Sequence, residues 1–345
     1  MINRLRNFGR IVYVLTMARN KEFYRDRGVM IWAILFPFLI VAAIGFAFSG
    51  GEQTVFKVGV YLPAGQTEFS LPLLKENFVH RVNYDDFNKA LDQLRNFQVD
   101  LLLSAERPGD YWMNEGSPAS RAVEQLLLAK STDASMRRQA VTGQKIRYVD
   151  WVIPGVLGMN LMFGCLFGIG YVIVRYRKNG VLKRIQVTPV TPLQFLTAQV
   201  LSRLLVMAVV SVIIYVGCDL FLHFIMRGSY LDLIIVALLG IFAMIAFALI
   251  IASRTASEEL ANGLLNLASF PMLLLSEVWF SLDEAPRWLK FFAQCLPLTH
   301  AVQAAREIML HGASLGSQMY HVWVMAGMSI VFLVLASLLF RWNEG

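Results

Sequence analysis

The chain has 345 residues, of which 57% are hydrophobic and 16% charged, and its formal net charge is +7. Its mean hydropathy of +0.54 and its long apolar runs exclude an ordinary soluble protein and indicate an integral membrane protein. The cations lie beside the apolar runs, so membrane topology explains the excess of basic over acidic residues better than nucleic-acid binding does. The 3 cysteines all stand in apolar surroundings and predict neither a disulfide framework nor a metal site.

Residues 1–27 are predicted to form a helix in the membrane interface. Its apolar side chains recur near one helical face among many cations; they are Phe8, Ile11, Val12, Leu15 and Phe23. Such a helix lies in the plane of the membrane, with its cations directed toward lipid phosphates. Of these cations, Arg19, Arg25 and Arg27 are the candidate membrane anchors.

Residues 28–49 supply the roughly 20 apolar residues that a first membrane span requires. A cleaved signal peptide is the alternative, but the basic region and the apolar run are both too long for one. The arginines before the span place the N-terminus in the cytoplasm.

Residues 50–150 have the composition of a soluble domain and are predicted to lie outside the membrane on the extracytoplasmic side. Long domains translocate largely regardless of their charge. Strands are predicted at 56–62 and 99–104, and helices at 85–97 and 117–140. The domain is therefore a small mixed α/β unit.

Residues 151–174 form the second span, in which Gly164 and Gly168 make a GxxxG motif that favours close helix contact. The loop at 175–192 carries five cations and no acid, which is typical of a cytoplasmic loop. Within it, Gly180 permits a tight turn and Pro189 ends a short, basic, amphipathic helix. This helix either only fixes the orientation of the neighbouring spans through its positive charge, or it is a docking element for a cytoplasmic partner.

Four further spans are predicted at 193–222, 231–252, 258–276 and 319–340. Arg203 is near enough to the cytoplasmic end of the third span to extend into the interface. Six spans, with both termini in the cytoplasm, agree with the positions of the cations.

The fifth span of the chain, residues 258–276, is unusually polar. Asn262, Asn266 and Ser269 are spaced i, i+4 and i+7, so they share one helical face. Polar groups in hydrocarbon normally face protein or a water-filled path, which predicts an interior surface. With Glu277 they form a candidate translocation path, although a role in helix packing alone remains the alternative.

Residues 277–316 are predicted to form external re-entrant helices that enter the membrane only partway. Prolines and charged residues interrupt this stretch too often for a lipid-facing span; they include Pro286, Lys290, Pro297, Arg306 and Glu307. The predicted fold is therefore an α-helical integral membrane protein with six transmembrane helices, an N-terminal interfacial helix and a small mixed α/β extracytoplasmic domain.

The order of these features resembles the type-2 ATP-binding-cassette (ABC) permease family, in particular bacterial exporters with a large domain after the first span. The matching residues are Val152-Ile153-Pro154-Gly155, then Gly180-Val181-Leu182-Lys183-Arg184 leading to Thr188-Pro189, and then Leu296-Pro297-Leu298-Thr299-His300 followed by Ala305-Arg306. Two positions depart from the family pattern. Asn179 stands where the family often has an acid, and Glu277 stands where it often has a glycine.

The resemblance implies a permease subunit of the bacterial cytoplasmic (inner) membrane. A second copy or a paralogue would complete a dimer, and a separate cytoplasmic ATPase would dock on the coupling residues Gly180, Leu182, Lys183, Arg184, Thr188 and Pro189. The exported substrate would be an amphiphile such as a drug-like compound, a lipid or a lipid-linked product, and a periplasmic adaptor is a further candidate partner. The sequence contains no GxxxxGK[ST] pattern, so ATP and Mg²⁺ would belong to the ATPase and this chain would not be an enzyme.

Two other classes of function remain open. An ion-coupled secondary transporter requires buried ionisable relays and usually internal repeats, and the sequence offers neither convincingly. A membrane-anchored external sensor or assembly protein requires neither six spans nor a basic loop of the coupling type.

Overall fold

The computed structural model describes residues 2–47, 56–63, 71–76, 78–107, 109–130, 136–143, 146–255, 257–282 and 285–339. The chain divides into a larger unit, Met1–Ala47 with Val149–Gly345, and a smaller unit, Phe48–Tyr148. The ends of the predicted first and sixth spans, at 48–49 and 340, lie outside the described residues.

The chain begins with two helices, α1 (Ile2–Arg25) and α2 (Arg27–Ala47). The apolar face predicted for α1 is turned toward the protein, with Val12 and Phe23 buried. Thr16, on the same face, donates from Oγ1 to the Ala198 carbonyl at 3.4 Å. The apolar stripe of α1 therefore packs against a neighbouring helix, whereas α2 leaves large side chains such as Trp32 and Leu39 exposed.

The smaller unit is a five-stranded sheet in the order β2-β1-β3-β4-β5. The strands are β1 (Phe56–Tyr61), β2 (Val79–Tyr84), β3 (Leu101–Ser104), β4 (Asp110–Asn114) and β5 (Arg137–Val141). β1 runs parallel to β2 and β3, and β4 runs antiparallel to β3 and parallel to β5.

Two helices cover opposite faces of this sheet, since strand side chains alternate between faces. α3 (Phe87–Arg95) buries Ala90 and Leu94 in one cluster, and α4 (Pro118–Lys130) buries Val123 and Leu127 in the other. Asp86 caps α3 by accepting a hydrogen bond from the Asn88 amide at 2.8 Å, which satisfies an otherwise free N–H group.

The smaller unit contains both helices and strands, but one helix was predicted too long. The single helix expected at 117–140 ends at Lys130, and β5 follows it. The four exposed residues that open β5 carry no strand-like alternation, so its pairing with β4 decides its structure. Strands β2 and β4 were not predicted from the sequence.

The rest of the larger unit is helical. α5 (Tyr148–Cys165) continues through a π-helical segment (Leu166–Tyr171) into α6 (Val172–Lys178), and α7 (Val181–Gln186) follows a tight turn. The remaining helices are α8 (Pro192–Leu222), α9 (Tyr230–Arg254), α10 (Glu258–Leu275), α11 (Arg287–Gln294), α12 (Pro297–His311) and α13 (Met319–Leu339).

Within the described residues, five helical stretches are long and apolar enough to cross a membrane. They are Arg27–Phe46, Tyr148–Lys178, Leu193–Leu222, Tyr230–Arg254 and Met319–Leu339. α10, predicted as the remaining span, is not among them, because Glu258, Glu259, Asn262 and Asn266 lower its hydropathy. The chain is thus a multi-pass membrane protein with five spans supported by length and composition.

The GxxxG motif produces the close helix contact that was predicted, and α8 is the partner. A methyl group at Gly164 would overlap Met207, and one at Gly168 would overlap the guanidinium group of Arg203. Arg203 donates to the Gly164 carbonyl, while Arg19 donates to the Gly168 carbonyl at 3.2 Å. A π-helical segment departs from regular α-helical pairing; Gly168 lies within this segment and Gly164 lies two residues before it.

The expectation that Arg203 extends into the interface is therefore wrong. Its side chain points across the bundle to Gly164 and lies over the Phe23 ring, with the guanidinium carbon 5.7 Å from the ring centroid. The space left by the two glycines allows this approach, and the Gly164 carbonyl and the face of the Phe23 ring contact the cation.

Gly168→Ala is expected to destabilise the larger unit by about 1–3 kcal/mol, because the methyl group overpacks the contact with Arg203. The measurement is the apparent Tm of the protein in detergent. Gly327→Ala is the matched control, since nothing lies within 4 Å of a methyl group there and alanine favours a helix. Equal Tm values for both variants would contradict this account of the glycine contact.

Candidate functional site

The α6–α7 turn is the first part of the candidate site. α6 ends at Lys178, and Gly180 then adopts φ +68°, ψ 9°, in the left-handed region. A methyl group at Gly180 would meet nothing within 4 Å, so backbone conformation, not lack of space, favours glycine here. The tight turn and the short helix predicted before Pro189 are both confirmed, with α7 spanning Val181–Gln186.

α7 presents a basic surface that is held in place by one apolar anchor. Leu182 is fully buried, whereas Lys183 and Arg184 on the next positions are exposed. The exposed strip continues through Val187, Thr188 and Pro189, and the Thr188 hydroxyl donates to the Ile185 carbonyl at 2.6 Å. The strip thus combines two cations with apolar carbon, which suits an acidic protein surface.

Arg177 joins this turn to the end of α9. Its Nη1 donates to the carbonyls of Ala252 at 3.0 Å and Thr255 at 2.5 Å, and its Nη2 donates to the Ser253 carbonyl at 3.3 Å. The last carbonyls of a helix have no partner within the helix, so a buried cation satisfies them and also suits the negative end of the helix dipole. If α7 moves, Arg177 would therefore transmit the movement directly to the connection between α9 and α10.

Glu22 joins α1 to α6. It forms ion pairs with Arg19 at 2.6 Å and with Arg175 at 3.0 Å, and it accepts a hydrogen bond from the Tyr176 hydroxyl. Burial acts to raise the pKa of Glu22, but the Tyr176 hydrogen bond and the charges of Arg19 and Arg175 outweigh it and hold the pKa below its ordinary value.

The second part of the candidate site lies where α10 ends and α12 packs. Arg306 pairs with the Glu277 carboxylate at 3.2 Å and also donates to the Glu277 carbonyl at 2.6 Å. Its guanidinium carbon lies 3.8 Å from the Trp151 ring centroid, and Gln303 donates to the other Glu277 oxygen at 3.3 Å. Arg306 is 6% exposed, so this is a buried charge with a nearly complete set of partners.

Residues 27–338 match the family described as ABC-2 family transporter protein. The chain belongs to the ABC-2 transporter family. It is 21% identical over 253 residues to the probable multidrug ABC transporter permease YbhR of Escherichia coli (strain K12), covering 69% of this chain and 66% of that protein. It is 22% identical over 268 residues to ABC transporter G family member 20 of Dictyostelium discoideum, covering 74% of this chain but 34% of that protein.

The backbone at Glu277 gives a physical meaning to its departure from the ABC-2 family pattern. Glu277 has φ +54°, in the left-handed region that glycine adopts without strain. A glycine at this position therefore suits the turn, whereas this chain places a glutamate there and binds both its carboxylate and its carbonyl to Arg306. These contacts hold Glu277 in a backbone conformation that residues other than glycine seldom adopt.

The polar stripe of α10 does not form one interior surface within a single chain. Ser269 is buried, but Asn262 is exposed and Asn266 is half-buried. Their hydrogen bonds run along the helix, from Asn266 to the Asn262 carbonyl at 2.9 Å and from Ser269 to the Asn266 carbonyl at 3.1 Å. Because Asn262 is exposed and Asn266 is only half-buried, any lining role for them requires another chain beside α10.

The three candidate anchors of α1 are found in different surroundings. Arg25 and Arg27 are exposed, and their role at lipid phosphates stays a prediction. Arg19 instead lies inside the protein, where it contacts Glu22, Tyr176 and Gly168. Arg19 thus joins α1 to other parts of the larger unit and is not directed toward lipid phosphates.

Two features of this part of the ABC-2 fold were not found from the sequence. Arg177 looked like one cation among five in a basic loop. His300 was read only as part of a motif, but its Nε2 lies 2.9 Å from the Gln294 carbonyl, which makes it the donor. Its Nδ1 then accepts from His321 Nδ1 at 3.0 Å, which ties α12 to α13. No local sequence pattern signals either contact.

Proposed function

We propose that this chain is the membrane subunit of an ABC exporter that moves an amphiphile out of the cytoplasm or the inner leaflet. A separate ATPase subunit would hydrolyse ATP with Mg²⁺, and this chain would carry no catalytic residue. The name of the Escherichia coli relative suggests drug-like compounds as one class of cargo; lipids and lipid-linked products are others. The apolar spans and the few fixed charges favour an amphiphile over an inorganic ion.

The observation that carries the proposal is the exposed basic strip on α7 together with its buried attachments. Lys183 and Arg184 are free to meet an acidic surface, while Leu182 anchors the helix and Arg177 connects its base to α9. An ATPase that pushes on α7 would thus act on two helices of the bundle at once.

A second permease copy, identical or paralogous, would pack against the exposed face of α10. Large apolar side chains recur along this face at spacings of three and four residues: Leu260, Leu264, Leu267, Phe270 and Leu274. Such spacing suits contact with another helix. In that arrangement Asn262, Asn266 and Glu277 would border a path between the two copies, and α10 would act as a sixth span sheltered by protein.

The proposed topology places the protein in the bacterial inner membrane with both termini in the cytoplasm. The cations of the α6–α7 loop would then face the cytoplasm, and the α/β unit would lie outside, where a periplasmic adaptor could reach it. α11 and α12 would form the external re-entrant segment, because neither is long enough to cross a bilayer.

Charge reversal of the strip tests the proposal. In Lys183→Glu/Arg184→Glu, we expect the protein to insert normally but to lose its co-purified ATPase and about 10-fold or more of the transport-linked ATP hydrolysis, since each close charge pair across an interface contributes about 1.5 kcal/mol or more. The measurements are pull-down of a tagged permease in mild detergent and amphiphile-stimulated phosphate release.

The matched control reverses two exposed cations of the α/β unit, Arg107→Glu/Arg121→Glu, which changes the net charge equally. This variant is expected to retain both readouts. ATPase binding and stimulation at wild-type levels in the α7 variant would refute the assignment of the coupling surface. A lone permease that never retains an ATPase would refute the exporter proposal itself.

A further inference from the structure

An apolar cavity of about 300 Å³ lies within the larger unit between α5, α8, α9 and α12. Its inner wall includes Gly158 and Leu161 of α5 and Ala301 of α12, and its outer wall includes Ala208 of α8 and Ala237 of α9. Small residues normally let helices approach closely. Here alanines on α8 and α9 leave an open space instead, large enough for a ligand at the lower end of the usual 300–1,000 Å³ range.

The mouth of the cavity opens onto the outer surface of two membrane spans. Val212 and Val216 of α8 and Ile234 of α9 border it, and each is 47–55% exposed. Both helices are long and apolar enough to cross a membrane. The cavity is therefore accessible from the hydrocarbon of the bilayer and does not require passage through water.

The lining offers almost nothing to a polar ligand. Its hydroxyl-bearing residues are Ser211, Tyr215 and Tyr230. The Ser211 hydroxyl already donates to the Met207 carbonyl at 2.7 Å, and the Tyr215 hydroxyl oxygen is buried beneath the surface of the lining, where a ligand does not reach it. A drug-like molecule with several polar groups would lose hydrogen bonds to water here without replacement. A plain hydrocarbon chain would lose none.

We propose that this cavity, named here the α8–α9 cavity, binds one acyl chain of a bulk membrane phospholipid as a resident part of the fold. An apolar space of this size excludes water, and if empty its walls would lack packing partners. The acyl chains beside its mouth are the most abundant apolar groups in its surroundings. The site lies within a single chain and is separate from the proposed path along α10.

Cavity-filling variants and a photoreactive phospholipid test this proposal. The protein is reconstituted in nanodiscs of phosphatidylethanolamine and phosphatidylglycerol that contain a phosphatidylglycerol with a diazirine on its acyl chain, and labelled peptides are located by mass spectrometry. We expect wild-type labelling to concentrate on the cavity-lining parts of α8 and α9. In Ala237→Phe this labelling should fall about tenfold. The phenyl ring would displace roughly two methylene groups of the acyl chain, and the loss of their burial corresponds to about a tenfold weaker occupancy.

Ile235→Phe is the matched control, because this neighbour is 44% exposed and does not line the cavity. Its labelling should match that of the wild type. Ala208→Phe, which fills the space from α8, provides a second variant if Ala237→Phe does not fold. Uniform labelling of all lipid-facing helices, or unchanged labelling in both filling variants, would overturn the proposal.

Stability after delipidation supplies an independent readout. Removing lipid with a harsh detergent should lower the apparent Tm of the wild type but change that of Ala237→Phe much less, since the ring occupies the space that the acyl chain leaves. Native mass spectrometry of the wild type should identify the retained molecule as a phospholipid. An equal loss of Tm in both proteins, or a retained molecule of another class, would argue against a resident phospholipid.

Discussion

Arg306→Ala is expected to lower the free energy of unfolding of the membrane unit by about 3–5 kcal/mol, because it leaves the Glu277 carboxylate without its cation in a mostly buried place. The same change removes the donor to the Glu277 carbonyl and the contact with the Trp151 ring. The main measurement is reversible denaturant unfolding in detergent. The apparent Tm and the expression level provide two further measurements.

A second change at Glu277 separates the ion pair from a general loss of packing. In Arg306→Ala/Glu277→Gly the unpaired acid is removed and glycine relieves the strain at φ +54°, so we expect the double variant to regain part of the lost stability. If the double variant is less stable than Arg306→Ala alone, the explanation through an unpaired charge fails.

Glu277→Gln distinguishes a structural role of this acid from a role as a gate. The amide keeps the size and can still bind Arg306, but it carries no charge. A structural role predicts weaker assembly with every substrate affected alike. A gate role predicts normal assembly with selective loss of export of cationic amphiphiles. If both assembly and export match those of the wild type, both roles are excluded. The pairing with Arg306 leads us to expect the structural result.

Arg177→Met is expected to have the largest effect on coupling. The methionine fills most of the space but leaves the carbonyls of Ala252, Ser253 and Thr255 without these donors in a buried place, at about 1–3 kcal/mol each. We expect ATPase stimulation by amphiphiles to be lost even where the ATPase still binds α7. The measurements are ATPase pull-down and stimulated phosphate release from the same preparation.

Two neighbouring variants show whether this effect belongs to the contact with α9. Lys178→Met removes an exposed cation from the next position and should leave stimulation near the wild-type level. Arg177→Lys keeps the charge but provides one nitrogen in place of a fork, so it should restore only part of the stimulation. If Lys178→Met and Arg177→Met behave alike, the loss comes from the net charge of the loop and not from the contact with α9.

Several features were predictable because they depend on residues close together in the chain. The apolar runs indicate a multi-pass membrane protein, since the transfer of each side chain into hydrocarbon is nearly independent of its neighbours. The α7 turn was predictable for a similar reason, because Gly180 permits a left-handed backbone and Pro189 restricts the backbone locally. The GxxxG motif correctly indicated close contact, although it did not identify Arg203 of α8 as the group that enters the space.

The remaining features depend on groups that are distant in the chain. β5 forms because its backbone pairs with β4, although its exposed opening residues give no periodic signal. The three-residue polar pattern of α10 suggested an interior face, but the packing of the bundle turns Ser269 inward and leaves Asn262 exposed. Spacing defines which residues share a face, and only the neighbouring helices define what that face contacts.

The arginines show most clearly what the sequence by itself determined and what only the tertiary structure decided. The sequence placed Arg19 in an interfacial helix, Arg177 in a basic cytoplasmic loop and Arg203 near the cytoplasmic end of a span. For Arg19 it predicted lipid phosphates as the surroundings, and for Arg203 the membrane interface. The tertiary structure directs each of them to backbone carbonyls of other helices instead. A cation near hydrocarbon binds whichever oxygen atoms are unpaired within its reach, and those oxygens become available only where another helix ends or departs from regular α-helical pairing.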